Sequence, residues 1–167
     1  MLLYLLDANV LIDANRDYYP ITRIPEFWDW LVHQGTEGHS KIPLEVHEEI
    51  AGGDDDLGKW ASKKDVKTAL LLEEEADVTL VSRVTEDGYA PDLTDDEIEK
   101  VGRDPFLIAY ALAAPGDRCV VTTEVSRPSK QRANRKIPDV CDSLGVPCMN
   151  TFSFVRSLNF TTGWKPR

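Results

Sequence analysis

The feature that most constrains the fold is a short apolar run near the start of the chain that ends in a carboxylate. Residues 2–6 read LLYLL, and Asp7 follows directly. An apolar run of this length predicts a parallel strand that is buried on both faces. A carboxylate at the end of such a strand needs a partner, because burying a lone charge is costly. Asp7 is therefore the first candidate functional residue.

The rest of the chain alternates short apolar segments with helical patterns. Further strands are predicted at 77–81, 119–123 and 148–152, and helices at 25–34, 44–51, 57–76, from Asp104 to the Pro115-Gly116 pair, and at 138–144. This alternation predicts an α/β fold, a three-layer α/β/α sandwich around a mostly parallel sheet of four or five strands. We expect one domain over residues 1–167, with a polar tail from about residue 158.

The charge balance limits how this chain can bind nucleic acid. It has 29 acidic and 19 basic residues, a formal charge of −10, whereas a non-specific polyanion binder is usually basic. A nucleic-acid substrate would therefore need a local basic patch or metal ions. Three cysteines are too few and too uneven for a disulfide framework and fit a reducing cytoplasm. We expect neither a membrane span nor a secretory signal.

Three more carboxylates are placed where they could join Asp7. Glu124 follows the strand at 119–123, Asp104 stands at the start of an apolar helix, and Glu49 lies in the helix 44–51. Ligands of parallel sheets bind outside the carboxyl ends of the strands. Carboxylates that converge there repel one another unless protons, solvent or cations relieve the repulsion. Hard oxygen ligands of this kind suit Mg²⁺ or Mn²⁺.

Each of these acids also has a purely structural interpretation. Asp104 before Pro105 could cap its helix. Glu124 could pair with Arg127 in the following loop, and local spacing does not distinguish Glu49 from its neighbours Glu45 and Glu48. An acidic stretch at 86–99 is interpreted as a solvated loop and helix start, with a capping box formed by Thr94 and Glu97. Asp13 is expected to be an exposed helix residue.

An ordered set of four motifs resembles the PIN-domain ribonucleases. YLLDANVLIDA resembles the first strand of that family, IPLEVHEEIAGG its segment with a metal-binding Glu, DPFLIAYALA the Asp at the start of a long helix, and VVTTE the strand end that carries the last acid. LDANVLIDA, the early tryptophans, VTTE and KIPDVC are similar to a PIN-like bacterial and archaeal family of unassigned function, of the DUF4411 type. The resemblance covers nearly the whole chain.

The resemblance implies metal ligands at Asp7, Glu49, Asp104 and Glu124, with Mg²⁺ or Mn²⁺ as the cofactor. Glu49 is chosen because Glu49-Ile50 matches the acid-aliphatic pair of the family. Supporting hydrogen bonds around the metal are expected from Asn9, Thr122 and Thr123; their alternative roles are turn capping and strand formation. Many PIN domains have Asp where this chain has Glu124, a difference that could shift or weaken a second metal.

A basic segment follows the last acid. Residues 125–136 contain no acid and five positive side chains that could hold an RNA backbone: Arg127, Lys130, Arg132, Arg135 and Lys136. The alternative interpretation is a solvated loop. The aromatic residues Phe27, Trp28 and Trp30 are interpreted as core or a partner interface rather than a base platform.

The leading hypothesis is a metal-dependent endoribonuclease in which metal-activated water hydrolyses RNA phosphodiester bonds. PIN-domain proteins of this size are often toxins, so the resemblance implies an antitoxin protein as a partner, and a homodimer is also kept open. The alternative is a non-catalytic PIN-like module that binds protein or nucleic acid. A phosphatase-like or nucleotide-binding domain is disfavoured because no glycine-rich loop follows the first strand.

Overall fold

The computed structural model describes residues 1–166; Arg167, the end of the expected polar tail, lies outside the described residues. Within this part the chain forms one parallel sheet with the strand order β2-β1-β3-β4. Its strands are β1 (Leu3–Leu6), β2 (Ser40–Lys41), β3 (Arg118–Val121) and β4 (Cys148–Met149). This confirms the α/β class and the three-layer arrangement with a parallel sheet.

Helices connect the strands and cover the sheet. The α-helices are α1 (Ala8–Asp13), α2 (Pro25–Thr36), α3 (Leu44–Ala51), α4 (Asp56–Ala61), α5 (Lys64–Leu70), α6 (Val78–Arg83), α7 (Asp95–Val101), α8 (Asp104–Leu112), α9 (Ile137–Leu144) and α10 (Thr151–Ser157). Two π-helical segments, Ala14–Tyr18 and Val84–Tyr89, continue α1 and α6, and a 3₁₀ turn spans Arg132–Asn134. π-Helical turns are rare and often occur at functional sites.

The strand order places a crevice beside β1 and β3. The chain moves from β1 outward to β2 and later returns to the other side of β1 as β3. In parallel sheets ligands bind at such a reversal, outside the carboxyl ends of the strands. Leu6 pairs with Val121 in this register, so Asp7 and Thr122 leave the two strands side by side.

The helix expected at 57–76 is two helices and an extended segment. The Ser62 hydroxyl donates to the Gly58 carbonyl (2.8 Å) at the end of α4, and Lys63 is extended before α5 begins. The break allows two packing directions. In α4 the ring of Trp60 lies 4.7 Å from that of Trp28, while α5 packs its Ala69 backbone against Gly35 of α2. The prediction of one helix was wrong because periodicity does not show a turn between two amphipathic helices.

The strand expected at 77–81 is also wrong, because these residues form the N-terminus of α6. The Asp77 carboxylate accepts hydrogen bonds from the backbone N–H groups of Thr79 (2.9 Å) and Leu80 (3.3 Å). This N-cap satisfies backbone donors that would otherwise be unpaired, and it outweighs the strand preference of the β-branched residues. The predicted capping box of Thr94 and Glu97 is confirmed at the start of α7.

The last two strands are shorter than expected. β3 ends at Val121 rather than at residue 123, so Glu124 lies in the loop beyond the strand. β4 ends at Met149, because the Asn150 side chain accepts a hydrogen bond from the Ser153 N–H (2.8 Å) and starts α10. Both differences move polar side chains out of the sheet and into the crevice.

The early aromatic residues form the core, as one of their two interpretations predicted. Phe27, Trp28 and Trp30 are fully buried. The tail is less polar than expected, because Phe160 packs against Trp30 (5.0 Å between ring centroids) and the Trp164 indole donates to the Glu26 carbonyl (2.7 Å). In residues 1–166 no helix is both long and apolar enough to cross a membrane.

Candidate metal centre

Asp7 is buried at the point where the strand order reverses. Its backbone N–H donates to the Val121 carbonyl (2.9 Å), which continues the β1–β3 pairing by one residue. Its side chain is 5% exposed. The Thr122 hydroxyl donates to Asp7 Oδ2 at 2.9 Å and is itself buried. The carboxylate therefore has a fixed orientation, held by the neighbouring strand end.

Thr122 also connects Asp7 to Glu124. The Thr122 hydroxyl oxygen accepts a hydrogen bond from the Glu124 backbone N–H (3.1 Å). Glu124 Oε2 accepts a hydrogen bond from the Ile137 N–H (2.6 Å) at the start of α9. No ion pair joins Glu124 to Arg127 in the described residues, so the alternative of a loop salt bridge does not apply. The second oxygen of Glu124 has no side-chain or backbone donor there.

Asp104 does not serve as the cap of its own helix. It occupies the first helical position of α8, after Arg103, and makes no capping hydrogen bond. No side-chain hydrogen bond in residues 1–166 involves its carboxylate, although the residue is half-buried. A half-buried carboxylate without a donor is costly for the folded protein. Asp104 interacts favourably with the N-terminus of α8 as an acid in its first turn, but its carboxylate has no hydrogen-bond or ion-pair partner in the described residues.

The structure distinguishes Glu49 from its two neighbours on α3. Glu48 forms an ion pair with Arg103 (3.1 Å), and Glu45 accepts a hydrogen bond from the Tyr110 hydroxyl (3.2 Å). Glu49 is exposed, and its negative charge acts on both Asp7 and Asp104. Glu49 is therefore the α3 carboxylate that faces the candidate centre.

Burial and neighbouring negative charges raise the pKa of two of these carboxylates, Asp7 and Asp104. Burial raises the pKa of Asp7 to about 6, against the hydrogen bond from Thr122, and the charges of Glu124 and Glu49 raise it further. Burial raises the pKa of Asp104 to about 8, with added contributions from Asp7, Glu124 and Glu49. Lys136 acts in the opposite direction on Asp104, which places its ammonium group near that carboxylate. Raised pKa values in a crevice are typical of functional sites.

Tyr89 is a member of this site that the sequence analysis missed. It ends the second π-helical segment, is 7% exposed, and its hydroxyl has no hydrogen-bond partner in residues 1–166. Burial and the negative charges of Asp104 and Glu124 raise the pKa of the phenol far above its ordinary value. The hydroxyl thus lies beside the carboxylates with a free donor. The only signal in the sequence was an aromatic residue near the start of the acidic stretch 86–99.

The side chains of this site offer the donor atoms that a hard divalent cation prefers, but their present positions do not surround an ion. Four carboxylates and a phenol from five separate segments offer only oxygen atoms, which Mg²⁺ and Mn²⁺ prefer. In residues 1–166 no three Asp, Glu, His or Cys side chains are close enough together to hold an ion as they stand. The carboxylates would have to rotate inward, and Asp104 and the outer oxygen of Glu124 have no hydrogen bond that prevents it.

The expected RNA-binding residues divide into two groups. Arg132 pairs with Asp92 (2.8 Å) and Glu97 (2.9 Å), and Arg135 donates to the carbonyls of Gly88 and of Asp139 (3.1 Å). These two side chains tie the basic loop to the acidic segment and to α9. These contacts give both arginines a structural role, and RNA would have to displace them to bind there.

The other basic residues of this segment are not held by such contacts. The side chains of Arg127 and Lys130 are exposed and form no hydrogen bond or ion pair in residues 1–166. Lys130 and Lys136 line a cavity of about 200 Å³ together with Asp104 and Glu124. The basic loop therefore does reach the acidic crevice, as its position after Glu124 predicted.

The side chains of the two remaining candidates, Asn9 and Thr123, form no hydrogen bond with the acids in residues 1–166. Asn9 is exposed on α1, and no hydrogen bond in residues 1–166 involves its side chain. Thr123 is half-buried and lines a second cavity, of about 420 Å³, on the other side of Glu124. Of the three expected supporting residues, only Thr122 bonds to a candidate ligand.

Comparison with known proteins gives a family but no activity. No curated protein matches this chain. A family model described as a domain of unknown function, DUF4411, matches residues 4–162, which is nearly all of the chain and includes every residue of the candidate centre. The chain therefore belongs to the DUF4411 family.

Proposed function

We propose that this protein is a metal-dependent ribonuclease related to the PIN-domain enzymes. The observation that carries the proposal is the set of carboxylates at the switch point of the sheet. Asp7, Asp104 and Glu124 come from distant parts of the chain. Burial, and after it the charges of the neighbouring acids, raises the pKa of Asp7 and Asp104. Such a cluster destabilises the folded protein unless protons or metal ions bind there.

In this proposal each residue has a defined task. Asp7, Asp104, Glu124 and Glu49 hold Mg²⁺ or Mn²⁺, and Thr122 keeps Asp7 in its orientation through the 2.9 Å hydrogen bond. When bound, such ions supply an activated water and neutralise charge at a phosphodiester. Tyr89 offers its free hydroxyl as a hydrogen-bond donor to Asp104 or to a phosphate oxygen. No side-chain nucleophile is required.

Positive side chains next to the acids support a polyanionic substrate. Lys136 lies near Asp104, and Lys130 lines the same cavity. In an acidic protein of formal charge −10, these groups supply the local attraction for a phosphate backbone. Acidic and basic side chains thus line one cavity, an arrangement that supports a substrate with a phosphate backbone.

Cleavage of a labelled RNA oligomer of mixed sequence tests the proposal. The wild-type protein should cleave it with Mn²⁺ or Mg²⁺ and not with EDTA, and Asp104→Asn should lose activity by at least about 100-fold, since a metal ligand is removed. The matched control is Asp54→Asn, because Asp54 is exposed and its side chain forms no hydrogen bond in the described residues. Equal activity of the wild type and Asp104→Asn would show a contaminating nuclease and contradict the proposal.

The alternative of a non-catalytic binding module is favoured by one observation. One oxygen of Glu124 accepts a hydrogen bond from the Ile137 N–H, and no three candidate ligands in residues 1–166 are close enough together to hold an ion. A binding module would retain RNA binding in EDTA and show no cleavage with any divalent ion. Calorimetry with Mn²⁺ separates the two proposals further, because only the enzyme needs a bound ion.

The cellular context also belongs to this proposal. The resemblance to PIN-domain toxins suggests an antitoxin protein as a partner, and a homodimer is compatible with the same role. All three cysteines are free, which agrees with a reducing cytoplasm. Co-expression with the product of a small adjacent gene tests the toxin role: the pair should co-purify and the RNA cleavage should be suppressed.

A further inference from the structure

The three cysteines of this chain lie on three neighbouring elements, β3, β4 and α9. In the register of the sheet, Val120 of β3 pairs with Cys148 of β4, and Cys119 directly precedes Val120. Helix α9 contains Cys141 and leads into β4 through a short turn, in which the Val146 N–H donates to the Cys141 carbonyl (2.9 Å). The turn therefore returns the chain to the sheet beside the helix and brings Cys141 and Cys148 together.

The thiols of Cys141 and Cys148 interact with each other. Hydrogen bonding between them lowers the pKa of the Cys148 thiol and, together with burial, raises the pKa of the Cys141 thiol. Such an interaction requires that the two sulfur atoms be neighbours. Both cysteines are free in this structure. They therefore form a dithiol pair that connects α9 with β4.

Cys119 is not part of this pair. Its thiol donates to the Val120 carbonyl (3.6 Å), and burial raises its pKa to about 12. Successive residues of a strand point to opposite faces of the sheet, so Cys119 lies on the face opposite to that of Val120 and its partner Cys148. Within the described part of the chain, no three Cys, His, Asp or Glu side chains are close enough to hold an ion, so the thiols as they stand form no metal site.

Of the three thiols, that of Cys148 is the accessible one. Cys119 and Cys141 are buried, whereas Cys148 is half-buried and lines the cavity of about 420 Å³ beside Glu124. The negative charges of Asp7 and Glu124 act on Cys148, which places this thiol close to the candidate centre. An accessible thiol of lowered pKa next to a buried partner is the arrangement of a redox-sensitive cysteine and its resolving cysteine.

We propose that Cys141 and Cys148 are a modification site, which a peroxide oxidises to a reversible disulfide between α9 and β4. The Cys148 thiolate attacks one oxygen of hydrogen peroxide, the O–O bond breaks, and hydroxide leaves and takes up the proton that the thiol released. Cys148 is then a sulfenic acid. The Cys141 sulfur attacks it, the S–S bond forms as the S–O bond breaks, and the departing oxygen leaves as water with the Cys141 proton. Two thiols and one peroxide thus give one disulfide and two water molecules.

The disulfide would join two elements that position acids of the candidate centre. Helix α9 holds Glu124 through the Ile137 N–H, and the Met149 carbonyl of β4 accepts a hydrogen bond from the N–H of Thr122. In a reducing compartment such a bond is transient, since a dithiol reductant reverses it by exchange. The inference goes beyond the proposed function and does not depend on it.

Peptide mass mapping of the wild-type protein tests the pair without any substitution. Trypsin leaves Cys141 and Cys148 in one peptide, residues 137–156, and Cys119 in another, residues 119–130. After treatment with hydrogen peroxide and alkylation of the remaining thiols, the first peptide should have lost about 2 Da, the mass of two hydrogen atoms, and carry no alkyl group. The second peptide should be alkylated. Dithiothreitol before alkylation should restore both thiols of the first peptide.

Matched variants assign a role to each cysteine. Cys119→Ala should form the disulfide at the wild-type rate. Cys141→Ala keeps the attacking thiol without its partner, so Cys148 should stay a sulfenic acid that dimedone captures. Cys148→Ala should keep both of its remaining thiols at the same peroxide concentration, because they are buried. Melting temperatures check that the variants are folded.

Three results would overturn the inference. A disulfide that links the two tryptic peptides would make Cys119 the resolving cysteine. Alkylation of both Cys141 and Cys148 after peroxide treatment would show that the pair does not react, and a sulfinic acid at Cys148 beside a free Cys141 would show that the two thiols do not combine. RNA cleavage by the same sample tests the other proposal separately, because a protein that forms the disulfide and cleaves no RNA with Mn²⁺ supports this inference and contradicts the proposed function.

Discussion

The Thr122 hydroxyl donates a 2.9 Å hydrogen bond to Asp7 although 115 positions separate the two residues in sequence. The bond crosses the ends of two adjacent parallel strands, at the place where the strand order reverses. It fixes the orientation of a buried carboxylate beside the crevice. The fold thus prepares Asp7 for a ligand while part of its charge is compensated by the protein.

The first prediction is that removing a candidate ligand stabilises the metal-free protein at alkaline pH. The pKa of Asp104 is about 3.8 when unfolded and about 8 when folded, so the folded state binds the extra proton between these values. Its contribution to stability is present below pH 4 and is lost as pH rises toward 8. Asp104→Asn removes this pH-dependent loss. At pH 8 the free energy of unfolding of the variant should exceed that of the wild type by about 2–3 kcal/mol, a value reduced for solvent screening of a half-buried group.

Thermal unfolding in EDTA between pH 4 and pH 9 measures this difference. The melting temperature of Asp104→Asn should equal that of the wild type near pH 4 and exceed it by roughly 5–10 °C at pH 8. Asp54→Asn, an exposed control, should follow the wild type at every pH. A constant difference between Asp104→Asn and the wild type across this range would mean that Asp104 does not titrate as described.

The sequence could predict Asp7 and α3 because local signals decide them. An apolar run that ends in Asp defines β1 and its edge, and the Gly52-Gly53 pair ends α3 at Ala51 as predicted. The segment 77–81 was misassigned because the Asp77 cap outweighs β-branched residues. Local propensity is weak whenever one side chain satisfies several backbone donors.

Two features of the site depended on long-range packing and were not predictable. Tyr89 comes near the start of an acidic stretch that suggests exposure to solvent, yet the π-helical segment buries its ring near Asp104. Arg132 looked available for RNA, but it pairs with acids 35 and 40 positions earlier in the chain. No local spacing rule connects residues so far apart.

The second prediction is that Mn²⁺ stabilises the wild-type protein more strongly as pH rises. Protons and metal ions compete for Asp7 and Asp104, whose pKa values are about 6 and about 8. An ion that binds only the folded state raises stability by about 2.7 kcal/mol at 100 times its dissociation constant. Differential scanning fluorimetry should therefore show a small shift at pH 5.5 and a larger one at pH 8.

Single variants show whether the shift in melting temperature caused by Mn²⁺ comes from the candidate centre. Asp7→Asn and Asp104→Asn should show little stabilisation by Mn²⁺ at either pH, whereas Asp54→Asn should respond like the wild type. Stabilisation of Asp7→Asn equal to that of the wild type would show that Asp7 is not a ligand. Mg²⁺ at higher concentration should give the same pattern, because it prefers the same oxygen donors.

The third prediction is that Tyr89→Phe lowers the RNA cleavage rate and raises the stability of the metal-free protein. The Tyr89 hydroxyl is buried without a partner, which costs about 1 kcal/mol or more, so its removal should stabilise the metal-free protein by about that amount. The same change removes the donor beside Asp104 and should lower the RNA cleavage rate by roughly tenfold. Urea unfolding and cleavage kinetics measure the two effects. Tyr18→Phe, where the residue is exposed, should alter neither; a Tyr89→Phe variant with full activity would exclude a role for the phenol.

The fourth prediction concerns the support of Asp7. Thr122→Val keeps the shape of the side chain but removes the donor to Asp7 Oδ2 and the acceptor for the Glu124 N–H. A hydrogen bond to a charged group contributes about 1.5–3 kcal/mol, so the variant should lose about 2 kcal/mol at pH 8 and less at pH 4, where Asp7 is protonated. Thr122→Ser should restore most of the stability. The adjacent Thr123→Val is the matched control and should leave the stability unchanged.

The fifth prediction separates the basic residues that hold the fold from those proposed to hold RNA. Arg132→Ala breaks the pairs with Asp92 and Glu97 and should lower the melting temperature, more at low salt than at high salt. Lys130→Ala removes an exposed side chain with no ion pair in residues 1–166 and should leave the melting temperature unchanged.

RNA binding should show the reverse pattern for the two variants. Lys130→Ala should weaken binding of a single-stranded oligomer and reduce the slope of log affinity against log salt by about 0.7, the value for one lost phosphate contact. Arg132→Ala, measured below its melting temperature, should keep the wild-type slope because its guanidinium is already paired. A reduced slope for Arg132→Ala would mean that RNA displaces Asp92 and Glu97 from this arginine. The acidic segment would then compete with the substrate for the basic loop.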